Sequence, residues 1–179
     1  MVIWKIILKI IQILNSEETP NQVALGFALG SVIALTPFFS PHNLLVLLII
    51  MITQVSFRSA VLGFTLLFIP SYALSPIANG IGLSLLTDTP GMVPFWRSFF
   101  DLPLMGFSRL NNSYTLGSLV LSLILFIPIF IGVRYFVFRY RKDLKDKIIA
   151  SKWFKALSAT KIFIWVKKGY DILGKGVYE

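Results

Sequence analysis

The chain has 179 residues, of which 56% are hydrophobic and 14% charged, a balance more apolar than a soluble core of this size needs. Its 17 Lys and Arg against 8 Asp and Glu give +9, yet residues 139–179 alone hold 11 basic and 4 acidic side chains with Trp153, Phe154, Phe163 and Trp165 interleaved, which favours anionic lipid headgroups over nucleic acid. Cysteine is absent, which excludes disulfides, thiolate metal sites and a cysteine nucleophile.

Residues 1–15 are apolar but too short to span a bilayer comfortably, and Lys5, Lys9, Gln12 and Ser16 recur at helical spacing along one stripe, so the segment is expected to be an interfacial amphipathic helix. With two lysines inside the apolar run and no small-residue cleavage site after it, it does not read as a removable signal peptide. Residues 16–138 are expected to form the membrane domain and 139–179 a basic amphipathic tail.

Thr19, Pro20 and Gln22 supply an N-cap, a first-turn proline and a capping-box glutamine, which start a helix over about 20–35. Thr36-Pro37 and Ser40-Pro41 interrupt it, and a second apolar run over 44–52 ends in the polar Thr53, Gln54, Ser56 and Arg58. A third run, 60–69, is expected to stop at Pro70, and a fourth to begin near Tyr72 with Ser75-Pro76 inside it and Asn79, Gly80 and Gly82 loosening it. Each is shorter than the roughly 20 residues a straight span needs, so these read as broken or re-entrant helices.

Two stretches resemble one another. Leu25-Gly26-Phe27 precedes Ser40-Pro41 and Asn43 by 15 residues to the serine, and Leu62-Gly63-Phe64 precedes Ser75-Pro76 and Asn79 by 13. Repeats of discontinuous helices are a common plan where a substrate is handled at membrane depth, and chance is the competing explanation in a chain rich in these residue types. Gly26, Gly30 and Ala34 form a small-residue stripe that lets another backbone approach, within the chain rather than between chains.

Residues 88–114 mix Pro90, Pro94 and Pro103 with Phe95, Trp96, Phe99 and Phe100 and read as a loop dipping into the aromatic interface. Residues 116–138 form the clearest span, expected to kink at Pro128 and carrying one charge, Arg134, near the end. Arg139, Arg141 and Lys142 follow at once, which by the positive-inside rule puts the tail in the cytoplasm. If the N-terminus lies there too, residues 19–87 must cross an odd number of times. In the tail, Leu144, Ile148, Ile149, Trp153 and Leu157 make an apolar face, continued by residues 162–166 before Lys167 and Lys168, expected to lie on the inner leaflet.

No catalytic constellation is visible. The single histidine, His42, has no second imidazole or thiolate to share a metal, and neither a nucleophile motif, a phosphate-binding loop nor a paired carboxylate in apolar surroundings occurs; no catalytic residue, cofactor or metal is expected. Asp88 and Asp101 lie near Arg97 and Arg109 in sequence, and surface charge balance explains them. Thr36, Ser40, His42 and Asn43 in the first break, with Ser75 and Asn79 in the second, are polar groups in apolar surroundings. On one reading they satisfy backbone freed at Pro37, Pro41, Pro70 and Pro76; on the other they converge on a polar groove or cavity.

The run Thr19-Pro20, then Ala24-Leu25-Gly26-Phe27-Ala28-Leu29-Gly30, then Pro37 and Pro41-His42-Asn43, resembles the start of a bacterial membrane family known as domain of unknown function 2062, over about residues 16–137. The family often carries an Asn-Pro pair in its second half, where this chain has Ser75-Pro76 and then Asn79. The long basic ends are similar to those of a branch confined to bacteria with outer membranes, often encoded beside a large periplasm-exposed protein. The resemblance implies an all-α, polytopic inner-membrane subunit without enzymatic activity that works with membrane lipids and such a partner, feeding phospholipid toward the outer membrane. Two other readings stay open: a small-solute or ion transporter, and a membrane anchor or assembly factor.

Overall fold

A computed structural model of the protein describes residues 2–103 and 105–144; within these the chain is all-helical, without strands. Six α-helices follow in order, α1 (Val2–Leu14), α2 (Pro20–Leu35), α3 (Pro41–Ile52), α4 (Phe57–Leu83), α5 (Val93–Phe100) and α6 (Ser113–Arg139), with π-helical turns at Ser84–Asp88 and Tyr140–Leu144 and a 3-10 turn at Met105–Ser108. Met1–Phe138 form one compact unit; of the second, which starts at Arg139, only Arg139–Leu144 are described, so the tail's apolar face from Ile148 to Lys168 lies outside the described residues.

The start of α2 follows its sequence signal. The Thr19 hydroxyl accepts from the Gln22 backbone N–H at 3.3 Å while the Gln22 side chain accepts from the Thr19 N–H at 2.8 Å, with Pro20 in the first turn. The α3 helix begins at Pro41 and ends at the Thr53 cap.

The middle of the chain departs from expectation. The predicted stop at Pro70 and restart near Tyr72 do not occur: α4 runs unbroken through both Pro70 and Pro76. A physical reason is visible at Pro76, which has no N–H to donate to the Tyr72 carbonyl one turn back. The Ser75 hydroxyl donates to that carbonyl instead, at 2.7 Å, so the turn keeps a donor. Residues 88–114 also hold more structure than a loop, because Pro94 sits in the first turn of α5.

The contacts between helices fix their directions. Ser56 donates its N–H to the Gln22 carbonyl at 3.2 Å, the Ser59 hydroxyl donates to the Val23 carbonyl at 2.6 Å, and Gly26, Gly30 and Gly63 lie against the backbone of Ser56, Ala60 and Phe27. Residue numbers rise together along this seam, so α2 and α4 are parallel, and α3 returns the chain to the level at which α2 began. At the far end of α4, Gly82 meets Ser113 and Gly117, and Gly117 meets Ala78, so α4 and α6 are antiparallel. A Cβ at any of these glycines would overlap a neighbouring backbone carbonyl.

The packing is inverted relative to a water-soluble bundle. Ser31, Ser59, Ser118 and Ser122 are fully buried, while Leu44, Ile52, Ile69, Leu123 and Ile127 are exposed. Phe57–Asp88 and Ser113–Lys142 are both long and apolar enough to cross a membrane, and only 22% of the most apolar stretch of each is buried within the protein.

Candidate functional site

The distinctive region is the turn between α2 and α3. The Thr36 hydroxyl donates to the Asn43 side-chain oxygen at 2.8 Å and lies 2.9 Å from the Val32 carbonyl; the Asn43 amide donates to the carbonyls of Pro37 at 2.9 Å and Phe38 at 3.2 Å. Both residues are buried, so the backbone groups that the break frees are met by two side chains seven positions apart. The turn is not fully satisfied, however. Ser40, the N-cap of α3, makes no capping bond, and its hydroxyl oxygen and both ring nitrogens of His42 are buried without a hydrogen-bond partner.

An aromatic row, which sequence reading missed, ties this turn to α4. Ring centroids step from Phe39 to Phe38 (5.1 Å), Phe64 (6.1 Å), Phe68 (5.4 Å) and Tyr72 (5.6 Å). The spacing Phe64, Phe68, Tyr72 was the available signal, since i, i+4, i+8 lines one face of a continuous helix. Beside the row, Gly30, Ile33, Phe38, Ile50, Ala60 and Phe64 line an apolar hollow of about 160 Å³.

The second polar set lies elsewhere in the bonding pattern. Ser75 bonds within its own helix, and the exposed Asn79 accepts from the Ser113 hydroxyl at 2.6 Å where α4 meets α6. Of the six predicted polar residues, Thr36 and Asn43 bond one another, Ser75 bonds within α4 and Asn79 bonds Ser113 on α6, while the side chains of Ser40 and His42 join none of these sets. Of the small stripe, Gly26 and Gly30 meet α4 and Ala34 is buried. The packing glycines Gly63, Gly82 and Gly117 escaped sequence reading, although Leu62-Gly63-Phe64 had marked the first as a counterpart of Gly26.

A third feature closes the end of α4. The Thr87 hydroxyl lies 2.9 Å from the Leu83 carbonyl, the Thr89 hydroxyl donates to the Ser84 carbonyl at 2.9 Å, and the Trp96 indole donates to the Leu85 carbonyl at 2.9 Å, which holds α5 against the widened turn. Trp96 and Phe100 stack at 5.7 Å on one face of α5, and Phe95 and Phe99 at 6.0 Å. No group of three or more potential metal ligands occurs among the described residues.

These features define an all-helical protein with two helices that are long and apolar enough to cross a membrane and a helical hairpin packed on the first of them. The chain belongs to the family of uncharacterized proteins conserved in bacteria known as DUF2062, whose pattern matches residues 6–145. That match begins ten residues before and ends eight after the stretch in which the resemblance was read. Neither a curated protein nor a solved structure matches the chain.

Proposed function

We propose that this protein is a non-enzymatic inner-membrane subunit of a bacterial envelope system that assists phospholipid movement toward the outer membrane with a large periplasmic partner. The observation that carries the reading is the α2–α3 hairpin, whose turn packs Phe38 on Phe64 in the first half of α4 and which leaves a wholly apolar hollow along the seam. In α4, 27 residues rise about 40 Å, enough for a hydrocarbon core of roughly 30 Å. The α2 helix starts level with Ser56 and has 16 residues, about 24 Å, so its turn stops inside the bilayer and α3 brings the chain back.

This arrangement gives a re-entrant hairpin and two crossings, with residues 15–20, 53–56 and 139–144 on one side and 84–112 on the other. The odd crossing count required of residues 19–87 is then met by α4 alone. Arg139, Arg141 and Lys142 assign the first side to the cytoplasm. Exposed aliphatic side chains face acyl chains, and the buried serines and glycines let helices approach where lipid offers no hydrophobic drive for association. The hollow is lined by α2, α3 and α4 and suits a stretch of acyl chain, which a periplasmic partner would receive.

Affinity purification of the full chain in mild detergent tests the proposal. A reproducibly copurifying large periplasm-exposed protein together with phospholipid is the expected result; a chain that purifies without any such protein from cells expressing its genomic neighbours contradicts it. A second reading, a small-solute or ion transporter, is favoured by the orphaned Ser40 and His42 atoms at the hairpin turn. Substrate-dependent flux into liposomes that hold this protein alone would support it over the first.

A further inference from the structure

Between the widened turn at the end of α4 and the helix α5 lies a hollow of about 500 Å³, lined by Thr87, Pro90, Val93, Pro94, Arg97 and Ser98. We infer that it receives the zwitterionic phosphoethanolamine headgroup of a membrane phospholipid, with the phosphate on Arg97 and the ammonium on Asp88. This rests on the membrane topology proposed above and adds a headgroup subsite to it.

The argument begins with helix periodicity. Pro94, Arg97 and Ser98, at i, i+3 and i+4, share the face of α5 that lines the hollow, whereas Phe95 with Phe99 and Trp96 with Phe100 form two stacked pairs. A short helix with aromatic pairs beside an arginine, at the junction of two apolar helices, sits where headgroups meet acyl chains. The Trp96 bond to the Leu85 carbonyl fixes one wall of the hollow against the other, so the site is held by the fold and not by a free loop.

The charges select the ligand. Arg97 is exposed, and no ion pair joins it to Asp101, one turn further along α5, or to Asp88 among the described residues. Its guanidinium can therefore grip a phosphate bidentately without first breaking a carboxylate bond. Among the described residues the Ser98 hydroxyl has no hydrogen-bond partner, and it adds a donor. Thr87 lines the hollow and its hydroxyl also lies 2.8 Å from a carboxylate oxygen of Asp88, the next residue in the chain, which is itself exposed. A purely anionic headgroup on Arg97 would have two carboxylates near in sequence, Asp88 next to the lining Thr87 and Asp101 one turn beyond Arg97, with Arg109 as the other cation of this segment. A phosphoethanolamine places opposite charges at both ends, and its N–H groups give Asp88 hydrogen bonds that a choline headgroup lacks.

The test is lipid retention by the intact protein, read by native mass spectrometry after exchange into micelles containing equal amounts of phosphatidylethanolamine, phosphatidylglycerol and phosphatidylcholine. Wild type is expected to retain phosphatidylethanolamine over both competitors. Arg97→Gln should lower that retention about tenfold, the effect of losing a charge-assisted hydrogen bond. Asp88→Asn should keep total retention but erase the preference for ethanolamine over choline. Water-soluble glycerophosphoethanolamine, added at the same concentration, should fail to displace the lipid; equal displacement would assign the site to a free phosphoester and overturn the lipid source. Wild type that retains phosphatidylglycerol as well as phosphatidylethanolamine, or an Arg97→Gln protein of unchanged melting temperature and unchanged retention, overturns the proposal. These readouts need no partner, so they fail or succeed separately from the copurification experiment.

Discussion

Two regions of this chain carry the same local signals and fold differently. After Leu25-Gly26-Phe27 the chain breaks at Thr36-Pro37 and restarts at Pro41; after Leu62-Gly63-Phe64 it runs through Pro70 and Pro76 without a break. The contrast teaches that a proline removes a donor but does not decide what happens next. In the first region Thr36 and Asn43 bond the carbonyls of Val32, Pro37 and Phe38, so the open backbone is paired by side chains of the turn itself. In the second, Ser75 gives the Tyr72 carbonyl the donor that Pro76 lacks, and the aromatic row from Phe64 to Tyr72 holds the helical face together.

The largest way to break the comparison is through the glycines that let both regions meet. Gly30→Leu or Gly82→Leu should abolish accumulation of folded protein, because each would drive a side chain into a backbone carbonyl that cannot yield, Ala60 in the first case and Ser113 in the second. Gly80→Leu and Gly132→Leu, at positions with open space beside them, should accumulate normally. Yield of monodisperse protein in detergent separates the two outcomes.

The next effect is smaller and confined to the broken region. Asn43→Leu should cost about 1–3 kcal/mol for each part-buried acceptor it leaves bare, the Pro37 and Phe38 carbonyls, while the Thr36 hydroxyl keeps the Val32 carbonyl as its acceptor. Thr36→Val should cost less because it removes a single hydroxyl and leaves the Asn43 amide bonds in place. Denaturant titration in mixed micelles measures both, and equal losses would mean that Asn43 does not organise the turn.

The smallest effect sharpens the account of the continuous helix. Ser75→Ala should destabilise by about 1 kcal/mol, the net worth of one hydrogen bond, and adding Pro76→Ala should restore it by returning a backbone N–H to Tyr72. A double-mutant cycle with no coupling between the two sites would show that the serine does not replace the proline's missing donor.

Helix starts were legible in the sequence where their chemistry is local. Thr19, Pro20 and Gln22 mark α2, and the long apolar run over 116–138 marks α6, which extends from Ser113 to Arg139 through Pro128, whereas α3 starts at Pro41, three residues before the apolar run read from residue 44. The continuity of α4 was not legible, since Ser75-Pro76 and Ser40-Pro41 are the same dipeptide and only their partners in space distinguish them. The candidate site was half legible. Thr36 and Asn43 do pair, but Asn79 turns to Ser113 on α6, a residue 34 positions away that no periodicity links to it. The aromatic row and the second glycine contact required knowing that α4 is one helix and which helices it meets.

Cysteine scanning tests the central claim, a hairpin that enters and leaves one face beside a helix that crosses, because the chain has no cysteine of its own. Single cysteines at Glu17, Phe39, Gln54 and Pro90 in the full chain, reconstituted in sealed vesicles of defined orientation, are exposed to a membrane-impermeant thiol reagent from each side. The account predicts that Glu17 and Gln54 label from the same side, Pro90 from the opposite side, and Phe39 from neither until detergent is added. Labelling of Gln54 and Glu17 from opposite sides would make α2 and α3 a full crossing and contradict the re-entrant hairpin on which the proposed lipid path depends.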